Sequence, residues 1–424
     1  MDVTPSASRL TNSLRDIGYD FASAVADLVD NSISAGSRQI DIELVYEGES
    51  SYILIADDGW GMGDDDLTEA LRFGSRRDYL NDELGRYGLG LKTASLSQCR
   101  RVTVMSRRTP IQRRISARTL DLDHIMDTDR WELVEVPEDT WAFRALEWLD
   151  SSPGTVVCWE KLDRVLPKGR SVGGGRRRIE SLSNRLSDHL GMIFHRFLEG
   201  SALDCHRLAI TVNGQKVRPW NPFAPKEEAR IELPRRQFEI VAGDEVGFVS
   251  FTPIVLPARN LFSGINEFER MSGPAKWNRQ QGIYVYRADR LVQSGGWCGL
   301  RAIDEHTKLA RAAIDFMPEL DELFRINVAK MRVSLPVEVR PLIEPHVTDL
   351  CHRAQEMYRR DLREGVNQEP LGTVRDEVTS SIDAQEIGAA ILSASLATKT
   401  TAQLQSIVDH LRRTNPNVVK RLGW

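Results

Sequence analysis

Residues 24–36 read AVADLVDNSISAG. Phe21, Val25, Leu28 and either Ser32 or Ile33 fall near one stripe at helical spacing, and Gly36 stands where a C-terminal cap belongs, so the pattern predicts a packed helix over 21–35. Three polar residues interrupt it: Asp27, Asp30 and Asn31. A solvated face would account for them. Spacing offers a second reading, because Asp27 and Asn31 stand at i and i+4 and share one face of the helix. Asp30 is adjacent to Asn31, points to another face, and is expected to be solvated or structural.

Working outward, QIDIELVYEGESSYILIADDG (39–59) reads as a β-hairpin turning at Glu-Gly-Glu-Ser. DDDLTEALRFG (64–74) reads as a short helix with acids in its first turn, where the helix dipole favours them. RRVTVMSRR, RRISARTLDLD and GTVVCWEKLD are strand candidates, giving an α+β layering over residues 1–165. Three glycine-bearing segments lie within this region. Asp57-Asp58-Gly59-Trp60-Gly61-Met62-Gly63 closes a strand, where a fixed carboxylate can accept a hydrogen bond from an exocyclic amine and glycines admit a flat base. Phe73-Gly74-Ser75 follows, and then Gly85-Arg86-Tyr87-Gly88-Leu89-Gly90-Leu91-Lys92-Thr93, whose backbone N–H groups can cradle phosphate oxygens as loop becomes helix. Each segment alone is a common turn or loop signal.

Taken in order, the acid and amide on one helix, the strand-end DxGxG and the GxxGxG helix start resemble the ATP-binding fold of the GHKL superfamily, which includes DNA gyrase, histidine kinases, the ninety-kilodalton heat-shock chaperone and MutL. The resemblance implies a two-layer α/β sandwich that binds ATP and Mg²⁺. It implies Asn31 as the Mg²⁺ ligand, Asp27 as general base and Asp57 as the adenine-reading acid, supported through a water by Thr155. Nucleotide contacts are implied at Gly59, Gly61, Met62, Gly74 and Ser75, and along Gly85, Tyr87, Gly88, Leu89, Gly90, Leu91 and Lys92. This sequence departs from the family pattern in two places. The usual Glu is Asp27, one methylene shorter, and a supporting acid of the family is Ser34. A base misplaced by about 1 Å can cost roughly 100-fold in rate, so hydrolysis is expected to be slow.

No His precedes Asp27, which argues against the phosphoacceptor module of histidine kinases, and the sequence after this region leaves no room for a gyrase-type cleavage domain. The arrangement resembles the MORC and MutL branch, an ATPase domain followed by a transducer domain, here as a compact prokaryotic MORC-like protein. KGRSVGGGRRR is read as a basic glycine-rich loop, leading into a helix of about 178–199 within a connecting region, 166–205. A strand-rich transducer is expected over 206–340, opening with the Asn-Gly hairpin of ITVNGQKVRPWNPF. Helical patterns are read from about 304, and the C-terminal region 341–424 is read as helical with a polar linker over 365–381. By resemblance, Lys330 in ELFRINVAKMRVSLP is the candidate for a transducer lysine at the γ-phosphate. Lys276 and Arg279 compete with it.

The chain of 424 residues is 41% hydrophobic and 28% charged, an ordinary globular balance. Its net charge of -5 argues against a globally nucleic-acid-coated protein but does not exclude a local basic patch. Five scattered cysteines, Cys99, Cys158, Cys205, Cys298 and Cys351, lack CxxC spacing and suggest neither a disulfide framework nor a zinc site. Without an apolar run of signal-peptide or membrane length, a cytoplasmic, membrane-free location is expected. The resemblance implies an ATP-dependent homodimer in which residues 1–20 cross over, and a clamp acting on DNA, alone or with a partner nuclease or helicase, in repair or antiviral defence. The alternatives are a non-hydrolysing ATP-sensing adaptor and a chaperone-like protein clamp. Basic residues over 168–178 are the candidate DNA contact.

Overall fold

A computed structural model describes residues 6–16, 18–72, 90–108, 114–136, 140–166, 172–203, 206–242, 245–325 and 333–367, with parts of 391–419. They form an α+β fold. Seven strands make the first sheet: β1 (Gln39–Val45), β2 (Tyr52–Asp57), β3 (Arg101–Arg107), β4 (Ser116–Asp121), β5 (Gly154–Glu160), β6 (Ala209–Val212) and β7 (Gln215–Lys216). Their order is β4-β3-β5-β2-β1-β6-β7. All pairings are antiparallel except β1 with β6.

The opening hairpin forms as its pattern predicts, with Ile40 opposite Asp57 and Val45 opposite Tyr52. Ile40, Ile42, Leu44, Ile53 and Ile55 face a helical layer. That layer contains α1 (Ala7–Arg15), α2 (Phe21–Ser34), α3 (Asp64–Leu71), α4 (Gly90–Leu96) and α5 (Leu122–Thr128). Helix α2 starts at Asp20, whose carboxylate accepts the N–H groups of Ala22 and Ser23 at 3.0 and 3.1 Å, and it buries Ala24, Val25 and Leu28. One helix adds to the two layers expected. α6 (Thr140–Ser151) packs Trp141, Ala145 and Leu149, one per turn, against Tyr52, Leu54, Ala56, Val156 and Cys158 on the opposite face of the sheet. The central strands β2 and β5 are therefore buried on both faces.

Three further readings are corrected. The basic glycine-rich stretch is helical from residue 172, as the start of α7 (Val172–Ile193), which is followed by α8 (His195–Glu199). Gly175 lets the Tyr46 ring lie against this helix, since a Cβ there would lie 2.1 Å from the ring. Exposed Arg176 and Arg177 thus ride on a helix, not a loop. The Asn-Gly hairpin, expected to open the transducer, is β6–β7 and extends the first sheet. Residues 310–316, read as helical, are the strand β13 (Ala310–Phe316) at the centre of a second sheet. Alanine has helical propensity, but pairing on both sides with buried neighbours overrides it.

The second sheet has six strands: β8 (Ile231–Glu232), β9 (Arg236–Ala242), β10 (Glu245–Val255), β11 (Gly282–Arg287), β12 (Arg290–Gln293) and β13. Its order is β12-β11-β13-β10-β8, with β9 hairpinned onto β10. Short helices α9 (Ile265–Met271) and α10 (Lys276–Gln280) and the long α11 (Arg340–Asn367) complete this part. One core runs from α2 through α7, with Leu182, Leu186 and Leu190, to β11 and β13. Residues 367–424 form a separate unit, in which α12 (Thr401–Thr414) is helical as expected.

Candidate functional site

Asp57 is the last residue of β2, the sheet's central strand, and is 7% exposed. Its carboxylate accepts the Ser32 hydroxyl at 3.0 Å and the Gly59 N–H at 2.9 Å. Burial pushes its pKa up to about 6, against the pull of those two donors. Neighbouring Asp58 serves the backbone instead. It accepts the Ser37 hydroxyl at 2.7 Å and the Arg38 and Gln39 N–H groups at 2.8 Å, and so fixes the turn into β1.

Thr155 stands opposite Asp57 in the β2–β5 register and opposite Ser106 in the β3–β5 register. Ser106 donates to the Gly154 carbonyl at 2.8 Å, so Thr155, 2.9 Å away, is the donor to Ser106. The Ser106 oxygen also accepts the Met62 N–H at 2.7 Å. This chain ties the Gly61-Met62 turn to the sheet beside Asp57. Gly61 has φ +67°, and a Cβ there would stand 2.1 Å from the Arg107 carbonyl oxygen, so only glycine brings the loop this close.

On α2, Asn31 is exposed while Asp27, one turn earlier, is buried. The Tyr19 hydroxyl donates to Asp27 Oδ2 at 2.7 Å, and Arg290 Nη2 lies 3.6 Å from Oδ1. Burial and the facing carboxylate raise the Tyr19 pKa well above its ordinary value, so Tyr19 remains a donor. The N-terminus of α4 comes alongside, since a Cβ on Gly90 would sit 3.9 Å from Asp27 Oδ2. Asp30 is not solvated. It is fully buried, with Arg290 Nε 2.7 Å from Oδ1, an ion pair without the alignment of a hydrogen bond.

Lys92, expected at the phosphates, is fully buried, and its ammonium donates to the Ala70 and Arg72 carbonyls at 3.0 and 2.6 Å. In this structure it caps the end of α3, and burial lowers its pKa to about 8. Leu91 is half-buried beside it. Gly74, Ser75, Gly85, Tyr87, Gly88, Leu89 and Lys330 lie outside the described residues. Sequence reasoning missed Tyr19, Ser32, Ser106 and Arg290. Ser32 had a signal, since it falls one residue after Asn31 on the side of α2 that meets the sheet; Arg290 had none.

Residues 19–155 match the family of histidine kinase-, DNA gyrase B- and HSP90-like ATPases. Over these residues the chain is similar to GHKL ATPases. Within that group the chain is similar to MORC and MutL proteins. It is 28% identical over 147 residues to Protein MICRORCHIDIA 4 of Arabidopsis thaliana, covering 32% of this chain and 18% of that protein. It is 30% identical over 89 residues to ATPase morc-1 of Caenorhabditis elegans, covering 21% and 10%. It is 41% identical over 91 residues to DNA mismatch repair protein MutL of Aliivibrio fischeri, covering 20% and 14%. The matched part thus spans less than a fifth of the length of these relatives. Asp57, Asp27 and Asn31 all lie within the matched residues. No helix among the described residues is long and apolar enough to cross a membrane.

Proposed function

We propose that the chain is an ATP-driven conformational clamp that hydrolyses ATP slowly. The observation that carries this reading is the buried Asp57, held by a hydroxyl and an N–H and facing a loop bound to the sheet through Ser106. Such a carboxyl can accept the exocyclic amine of adenine, with Gly59, Gly61 and Met62 bordering the base. Asn31 fits a magnesium ligand because its amide is exposed on the helix that buries Asp27. Among the described residues no three His, Cys, Asp or Glu side chains converge as a metal site, so an ion would rest on Asn31, phosphate oxygens and water. Magnesium, when bound, would offset the charge of the triphosphate. Asp27 would take the proton of the attacking water, and Lys330 would supply a cation to the γ-phosphate.

The six-stranded sheet is assigned the transducer role, with the N-terminal residues crossing over in an ATP-dependent dimer. DNA is the proposed client, directly or through a nuclease or helicase, in repair or defence; the likeness to a mismatch repair protein supports this. One observation favours a second reading, a non-hydrolysing ATP sensor: both oxygens of Asp27 already face Tyr19 and Arg290.

Single-turnover hydrolysis, with and without DNA, separates the two. For the clamp, wild type turns over, DNA accelerates it, and Asp27→Asn and Asn31→Ala each lose about 100-fold or more. ATP binding in all three without any turnover in wild type would establish the sensor instead.

A further inference from the structure

The geometry points to Arg290 as a positioning residue for Asp27, reaching from the second sheet into the ATPase module; this rests on the reading of Asp27 as the base. Arg290 opens β12, the edge strand of that sheet. It is 3% exposed and stands against two acids of one helix, 2.7 Å from Asp30 and 3.6 Å from Asp27. The shorter pair anchors the guanidinium to α2. The longer one sets a second guanidinium nitrogen 3.6 Å from Asp27 Oδ1, the oxygen other than the one Tyr19 contacts. Tyr19 on one oxygen and Arg290 on the other fix the plane of the carboxylate, which matters more for Asp than for Glu because the shorter arm has less freedom to find its target.

The strand is built to deliver this side chain. The two-residue turn before it places Ala288 at φ 43° and Asp289 at φ 65°, left-handed conformations that normally call for Gly or Asn. Surrounding contacts hold the turn. Asp289 pairs with Arg196 at 2.8 Å and accepts the Leu203 N–H at 2.7 Å, while Ala288 N–H reaches the Phe316 carbonyl at 3.1 Å. A strained hairpin, clamped at its tip, aims one cation at the acid pair of α2. Seating of the second sheet and orientation of the candidate base are therefore one mechanical event: when β12 withdraws from α2, Asp27 loses a group that orients it.

The test uses the full chain with Arg290→Met, Arg290→Lys, Asp30→Asn and the Arg290→Met/Asp30→Asn double variant, which removes the acid that Arg290→Met alone would strand. Relative to wild type, Arg290→Met should lower kcat about tenfold, with KM and the affinity for a fluorescent ATP analogue changed by less than about threefold, and Arg290→Lys should recover part of the loss. If Arg290→Met does not fold, the same loss is expected between Asp30→Asn and the double variant. A KM rise with kcat intact, or equal losses in the Lys and Met variants, would overturn the assignment. Urea unfolding decides the contact without catalysis: in a cycle of Asp27→Asn with Arg290→Met, made in the Asp30→Asn background, the folding constants should depart from additivity by about threefold or more. Additivity would refute the contact. Wild type that binds ATP without turnover would instead sink the ATPase reading, leaving the cycle to judge Arg290.

Discussion

In the seven-stranded sheet the buried carboxylate of Asp57 faces a serine hydroxyl and a backbone N–H, whereas Asp321, just beyond the six-stranded sheet, is gripped by Arg287 of β11 through two contacts of 2.7 Å. Both acids are buried, so both have lost water. The second sheet answers that loss with full charges: Arg287 on Asp321, and Arg196 on Asp289 and Asp315 while it also lies over the Tyr286 ring. The first sheet answers it at Asp57 with neutral donors, and the pKa climbs to about 6 as a result. The contrast separates two uses of a buried acid. Asp321, gripped on both oxygens by one guanidinium, is finished structure; Asp57, held by weaker donors, keeps capacity for a ligand.

The largest effect should come from breaking a completed pair. Arg287→Leu strands the Asp321 carboxylate and should lower stability by about 3–5 kcal/mol in urea unfolding. A loss below about 1 kcal/mol would erase the distinction between the two buried acids. Next comes Asp57→Ala, which should weaken ATP binding roughly 100-fold, about 2.7 kcal/mol, while the melting temperature stays level or rises because a buried charge has gone. An unchanged Kd would remove Asp57 from the site. The smallest is a pH effect. Asp57 holds its proton more tightly in the folded chain than in the unfolded one. Its contribution to stability is therefore fully present below about pH 4 and is lost as pH rises through about 6, on the order of 2 kcal/mol. Asp57→Asn should flatten that part of the stability profile, measured by unfolding between pH 4 and 7.

Legibility in the sequence followed the range of the interactions. Helix α2, the opening hairpin and the Asp57-Gly59-Gly61 turn are local patterns, with period, turn residues and glycines close together, and they could be read directly. α6 was equally local, with Trp141, Ala145 and Leu149 at i, i+4 and i+8, and went unread beside the stronger apolar run of the strand that follows it. β13 could not be read, since its strand state depends on β10 and β11 lying on either side. The site divides the same way. Asp27, Asn31 and Asp57 carry spacing that invites their chemistry, whereas Tyr19, Ser106 and Arg290 matter through what the fold brings beside them. Lys92 shows the reverse, a residue with a suggestive position whose ammonium is taken up by carbonyls of α3.

One detail of topology bears on how this molecule could be taken apart. β6 lies parallel to β1 at the edge of the first sheet, with Ile40 opposite Ile210, and it arrives only after the whole of α7. The candidate nucleotide contacts in the matched region all precede residue 160, but its sheet is not completed until residue 216. A fragment cut just after β5 would expose the flank of β1 as an open edge and uncover the apolar face that α7 protects, inviting self-association in place of folding. The smallest independent piece of this protein therefore extends well past its last candidate nucleotide contact in the matched region, through a helix and a hairpin that complete its sheet.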